Sequence, residues 1–215
     1  NASDTFDAAT QWHVLGKDSI ADLGMHNGSD GGDNGQEPPA QYACGDDTMT
    51  LISTIQSTEP QSPLIGNKVA VEAIVIADLQ DESQLQGFFI QEETPDTDAD
   101  DTTSEGIFVY STNVDVSVGD QVLVVGTVDE YYGLTQINNV EQLELCADNL
   151  PLPAATEYSL PLSSKNQLEA VEGMRIQFND TLTVNEVYHL GRHGEFTVSN
   201  GRRYIATEIA NPGEE

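Results

Sequence analysis

The chain holds 215 residues with a formal net charge of −30, from 37 acids against seven lysines and arginines. Such self-repulsion keeps a protein dissolved and works against holding any polyanion unless salt or divalent cations screen it. The length suits one domain or two small ones, and no apolar run of 18 residues exists that could span a membrane as a helix.

Residues 1–26 contain Trp12, Val14, Leu15, Ile20 and Leu23 without a sustained period, which reads as an extended segment. Residues 27–47 open with "NGSDGGDNGQEPPAQ", a composition of turn formers, and read as a linker. Alternation in "TMTLISTIQ" (48–56) predicts a strand. Five further β segments begin at 66, 87, 105, 120 and 134, carried by "GNKVAVEAIVIADLQ", "GFFIQEE", "EGIFVYS", "DQVLVVGTVDEYY" and "LTQINNVEQLELC". Gly126 sits mid-strand, where a small barrel needs a bend or bulge, and Gly133 permits the turn into the last segment. A long first strand, five segments and a glycine kink predict an all-β fold, an OB-fold with a five-stranded Greek-key barrel over 48–150. A β-sandwich is the alternative.

Residues 151–215 read as a Pro-rich connector followed by a second, partial β module. Ser164 is a candidate N-cap for a short helical turn before Gly173, and "LGRHG" and "SNGRR" read as turns between strands. The charge is uneven along the chain. Residues 1–164 carry 29 acids and only Lys17 and Lys68, whereas residues 165–215 carry eight acids and five bases. A phosphate backbone therefore finds the C-terminal quarter the least forbidding.

Cys44 and Cys146 allow one intramolecular pairing. Their polar surroundings, "CGDD" and "CADN", favour a surface disulfide over the alternative of two separate buried thiols. A disulfide suits an oxidising, extracellular setting, and with no export signal in the sequence the chain is expected to begin downstream of one.

Taken in order, "VAVEAIVIADLQ", "GFFIQEE", "SEGIFVY", "VGDQVLVVGTVDEYYGLTQI" and "VEGMRI" resemble the region between the lamin-tail-like domain and the catalytic domain of large secreted nucleases of marine and other Gram-negative bacteria. The resemblance runs from about Thr5 to Pro212. It makes residues 1–26 the end of the lamin-tail-like domain and implies an OB module that holds DNA ahead of an endonuclease/exonuclease/phosphatase domain. The parent would be a secreted, metal-dependent deoxyribonuclease using Mg²⁺ or another divalent cation, with its catalytic motifs beyond this stretch. His13, His26, His189 and His193 have no acidic partners at a spacing that assembles such a site, and no nucleophile motif, phosphate-cradling loop or CxxC is present. His189 and His193 lie four apart, but Gly191 and Gly194 argue for a turn over a metal-binding helix. The fragment is expected to be non-catalytic.

Two features point to binding. Asp96, Asp98 and Asp100 stand in D-x-D-x-D spacing, followed by Asp101, between the second and third barrel strands. Alternate carboxylates can collect around Ca²⁺, although an EF-hand loop would have Gly in place of Asp101 and Glu in place of Ile107. The other reading is a solvated loop whose charges discourage edge-to-edge pairing. On the barrel face, Phe89, Tyr110, Tyr131 and Tyr132 are candidate base-stacking residues, with Arg192, Arg202 and Arg203 as phosphate partners. The expected partners are DNA, single- or double-stranded and cation-assisted, and the catalytic domain of the same polypeptide. An architectural spacer that never touches DNA is the alternative, and a sugar-binding module, supported by the tyrosines alone, is a third.

Overall fold

Val and Ile crowd the strand β1 (Lys68–Leu79) at alternating positions, so Val69, Val71, Ala73 and Val75 turn inward together and are buried. Twelve residues reach about 40 Å, enough for the strand to serve two partners. Its first half, Lys68–Ile74, pairs antiparallel with β4 (Gln121–Tyr131), and its second half, Ile74–Leu79, with β2 (Gly87–Gln91). A register shift between Val75 and Ala77 lets it bend from one to the other. With β3 (Gly106–Val109) and β5 (Leu134–Ala147), the strands close in the order β1-β2-β3-β5-β4, in which β3 and β5 run parallel. This is the predicted five-stranded OB-type barrel, not a sandwich. The structure, a computed structural model, describes residues 42–164, 166–204 and 206–209. The predicted extended segment 1–26 and linker residues 27–41 lie outside them.

Gly126 does what its place in the sequence suggests. A Cβ there would stand 2.5 Å from Ile137 Cγ2 and 2.8 Å from the Asn138 carbonyl, and the β4–β5 register shifts between Val125 and Thr127. The bulge brings the two backbones closer than any side chain would allow.

The predicted strand at 48–56 is a correction. Ile52–Gln56 form a short helix, α1, whose Ile52 and Ile55 are fully buried in the barrel core. An i, i+3 pair plugs the barrel end better than an alternating strand, so tertiary burial overrides the β pattern. Leu51 supplies no side-chain cap. The Glu92 carboxyl takes that role, with Ile52 N–H donating to its Oε1 at 2.8 Å.

Residues 42–50 run over the barrel's outside. Tyr42 and Met49 pack with Cys146 against Ala70, Leu123 and Val125, and Thr50 N–H donates to the Ala70 carbonyl at 2.7 Å. The Cys44–Cys146 disulfide, with Cα atoms 5.6 Å apart, ties this strap to β5.

Beyond the barrel, the connector itself supplies a strand. β6 (Thr156–Tyr158) pairs parallel with β7 (Ile176–Phe178), and between them lies the predicted helical turn, α2 (Asn166–Glu169). Gly106 and Gly173 meet backbone to backbone, where a Cβ on Gly106 would fall 2.5 Å from the Gly173 carbonyl carbon. Ser104 and Thr135 fasten the same segment through the Glu172 carbonyl and carboxylate at 2.6 and 2.9 Å. β8 (Leu182–Glu186) and β9 (Thr197–Asn200) form a separate antiparallel hairpin. The "LGRHG" segment within it is a single helical turn, α3 (Leu190–His193), closed by Gly194 at φ 72°. A last helical turn, α4, spans Ala206–Ile209.

Candidate nucleic-acid interface

The sheet alternation sorts the aromatic candidates. Phe88 is core, and Phe89, its neighbour on the opposite face, is half-buried with its ring 4.9 Å from Phe108. Phe108 lies outside the core cluster yet is buried, because Phe89 covers it. Phe89 thus spends much of its surface on its neighbour. Tyr110, at the end of β3, is exposed and donates its hydroxyl to Gln86 Oε1 at 3.0 Å.

Tyr131 and Tyr132 stand together at the tip of the β4–β5 hairpin. Their rings meet edge to face at 4.7 Å, and Tyr132 is 95% exposed. Its φ is 53°, followed by Gly133 at 85°, so both central residues of a two-residue turn are left-handed. Asn-Gly or Asp-Gly is the usual choice for that turn, and a bulky residue there costs about 1–3 kcal/mol.

The arginines lie elsewhere. Arg192 is exposed on α3. Arg202 pairs with Glu208 at 3.0 Å and lies 4.6 Å over the Tyr204 ring, while Arg203 N–H donates to Asn185 Oδ1 at 2.6 Å. The three predicted phosphate contacts therefore lie on the hairpin module, Arg192 in the β8–β9 connection and Arg202 and Arg203 just past the end of β9, and not on the β4–β5 hairpin that carries Tyr131 and Tyr132.

Within the loop 92–105, Asp98 and Asp100 are satisfied by local hydrogen bonds. Asp98 Oδ1 accepts from Asp100 N–H at 2.8 Å and its Oδ2 from the Thr103 hydroxyl at 2.9 Å. Asp100 Oδ1 accepts from the Thr102 N–H and hydroxyl at 3.0 and 2.6 Å. Desolvation opposes ionisation of Asp98, but the Asp100 N–H and the Thr103 and Ser53 hydroxyls outweigh it and hold its carboxyl below the usual value. Asp101 is exposed.

Among the described residues, the carboxylates that converge within 4.8 Å are Glu92, Glu93 and Asp96, so the structure groups Asp96 with the end of β2 and not with Asp98, Asp100 and Asp101. They line a cavity of about 290 Å³ together with Asp46, Asp47 and Glu72. Glu92 is 2% exposed, and burial pushes its carboxyl up to about 8, with Glu93, Glu105 and Asp96 adding like-charge repulsion against the opposing Ile52 N–H. Burial also raises Glu93 and Glu105, and one carboxylate oxygen of each is enclosed without a donor. Cys44, Cys146 and Glu72 also converge, but both sulfurs are committed to the disulfide. Sequence reasoning missed Glu92 and Glu93. "QEE" at the end of a predicted strand was the available signal, since alternation there had to turn one acid inward.

No helix among the described residues is long and apolar enough to cross a membrane. No protein-family model, curated protein or solved structure matches the chain.

Proposed function

We propose that this chain is a DNA-handling accessory module, non-catalytic in itself, of a secreted nuclease that degrades extracellular DNA. The observation that carries the reading is Tyr132. A fully presented aromatic ring in a left-handed turn position is poor for folding, and stacking on an unpaired base gives it a use. The OB-type barrel supports the reading, because this fold commonly binds nucleic acid through its strand-two and strand-three face and the loop between its last two strands, where Tyr132 sits. The disulfide is consistent with secretion.

A charge of −30 demands cations between protein and phosphate. The acid cluster at Glu92, Glu93 and Asp96, rather than the D-x-D-x-D run, is the group with the geometry to collect Ca²⁺ or Mg²⁺. The same charge favours the second reading, a spacer that keeps a catalytic domain away from its neighbour without contacting DNA.

Fluorescence anisotropy of labelled single- and double-stranded oligonucleotides, at low salt and with or without 2 mM (about) Ca²⁺ or Mg²⁺, separates the two. Wild type should bind, and Tyr132→Asn should bind about tenfold more weakly while folding at least as stably, since Asn-Gly suits the turn. Absence of wild-type binding under every cation condition rejects DNA handling and leaves the spacer.

A further inference from the structure

We infer that Glu72 shields the Cys44–Cys146 disulfide from reduction, so that the strap of residues 42–50 stays fastened in the presence of thiols, whatever the module binds. On β1, Val71 and Ala73 turn into the core, so Glu72 between them faces outward, as does Ala70 beneath the strap. A Glu72 carboxylate oxygen and the two sulfurs all lie within 4.8 Å of one another. The carboxylate is fixed in that place, because Gly45 N–H donates to its Oε2 at 2.7 Å.

The rest of the surroundings has the same sign. Ala43 N–H, on the other side of Cys44, donates to Asp46 Oδ2 at 3.1 Å. The amides of both neighbours of Cys44 are thus committed to acids, and neither is left for a sulfur anion. Cys146 Sγ lies 3.9 Å from the Glu144 carbonyl oxygen, the negative end of a dipole. The one lysine between residues 42 and 164, Lys68, stands four positions along β1 from Glu72 and is engaged by Glu141 at 2.7 Å. Reactive cysteines occupy the opposite setting, beside cations or a helix N-terminus that stabilise the thiolate.

Reduction by a small thiol begins when its thiolate attacks one sulfur of the disulfide. Cys44 is exposed and Cys146 half-buried, so the attack falls on Cys44 Sγ. A new S–S bond forms there while the electron pair of the old one passes to Cys146 Sγ, which leaves as a thiolate and takes a proton from water. A second small thiol then displaces the first from Cys44, which leaves two cysteine thiols and one small-molecule disulfide. In the first transition state negative charge is spread over three sulfurs, two of them within 4.8 Å of Glu72. At that distance, in a half-exposed site, one like charge slows the step by roughly five- to tenfold.

The test measures how fast reduced glutathione opens the disulfide of the full chain, with iodoacetamide as quench, so that each reduced chain gains two labels. Glu72→Gln keeps an oxygen for the Gly45 N–H and removes the charge. It should be reduced about five- to tenfold faster than wild type at low salt, with the gap narrowing at high salt. Glu82→Gln, which removes one exposed acid from the turn after β1, should stay within about twofold of wild type. The oxidised forms should melt together and resist proteolysis at residues 42–50 equally. A Glu72→Gln rate equal to that of wild type overturns the shield, and so does an equal acceleration in Glu82→Gln, which assigns the effect to net charge. Acceleration undiminished at high salt, with earlier cleavage of the strap, also overturns it, because a loosened strap and not a lost charge then exposes the bond.

Discussion

Glu92 shows how far one side chain can depart from its type. A glutamate in solution ionises near 4.5, whereas burial among Glu93, Glu105 and Asp96 holds this one protonated up to about 8. The native chain therefore keeps a proton that the unfolded chain releases, so the associated stability is fully present below about pH 4.5 and is lost as pH rises through 8. Glu93 and Glu105 are raised as well and steepen the same decline. The swing attributable to Glu92 is on the order of 4 kcal/mol. Glu92→Gln keeps an oxygen for the Ile52 N–H and carries no charge. In urea denaturation with a chelator present, the variant should match wild type near pH 4.5 and exceed it by a few kcal/mol near pH 8.5. Wild-type stability that stays level across this range, or a variant equally weakened at both ends, contradicts the buried-proton account.

At the scale of elements, the disulfide and the strap it fastens act together. Cys44 and Cys146 are 102 residues apart, so their bond removes a large loop from the unfolded ensemble, worth about 4 to 5 kcal/mol in the chain-entropy account. Residues 42–50 also cover Ala70, Leu123 and Val125. Cys44→Ser with Cys146→Ser should lower the melting temperature by about 10 °C, at 2–4 °C per kcal/mol for this size, and expose residues 42–50 to limited proteolysis first. A loss of only 1 or 2 °C with the strap still protected would show that packing, not the covalent tie, holds it. The barrel strands and this pairing were legible in the sequence, because Val and Ile at alternating positions, Gly126 and a lone pair of cysteines each point to a single physical solution. The helix α1 was not, since "LISTIQ" fits both periods over so short a span and only the open barrel end decides between them. The converging carboxylates escaped for a related reason. Spacing singled out Asp98 and Asp100, whereas the chain curls those residues into their own turns and the end of β2 carries Glu92 inward.

Across the whole molecule, the governing quantity is unpaired negative charge. Two ion pairs within 4 Å occur among the described residues, Lys68–Glu141 and Arg202–Glu208, and both are exposed. Exposed pairs of this kind contribute about 0 to 1 kcal/mol each, too little to offset the repulsion of a chain at −30. Salt should therefore act on folding and on DNA binding with opposite signs. Raising NaCl from roughly 20 mM to 1 M shortens the screening length from about 20 Å to 3 Å, which relieves carboxylate repulsion and should raise the melting temperature by about 5 °C. On the proposed DNA-handling reading, the same change removes the counterion-release advantage of arginine–phosphate contacts and should abolish oligonucleotide binding. Divalent cations break the symmetry, because a cation held between a carboxylate and a phosphate strengthens both. Calorimetry and anisotropy on one salt series measure the two responses side by side. A melting temperature that falls with NaCl would mean that the acids are already compensated in the native state, and the case for cation-assisted DNA contact would fall with it.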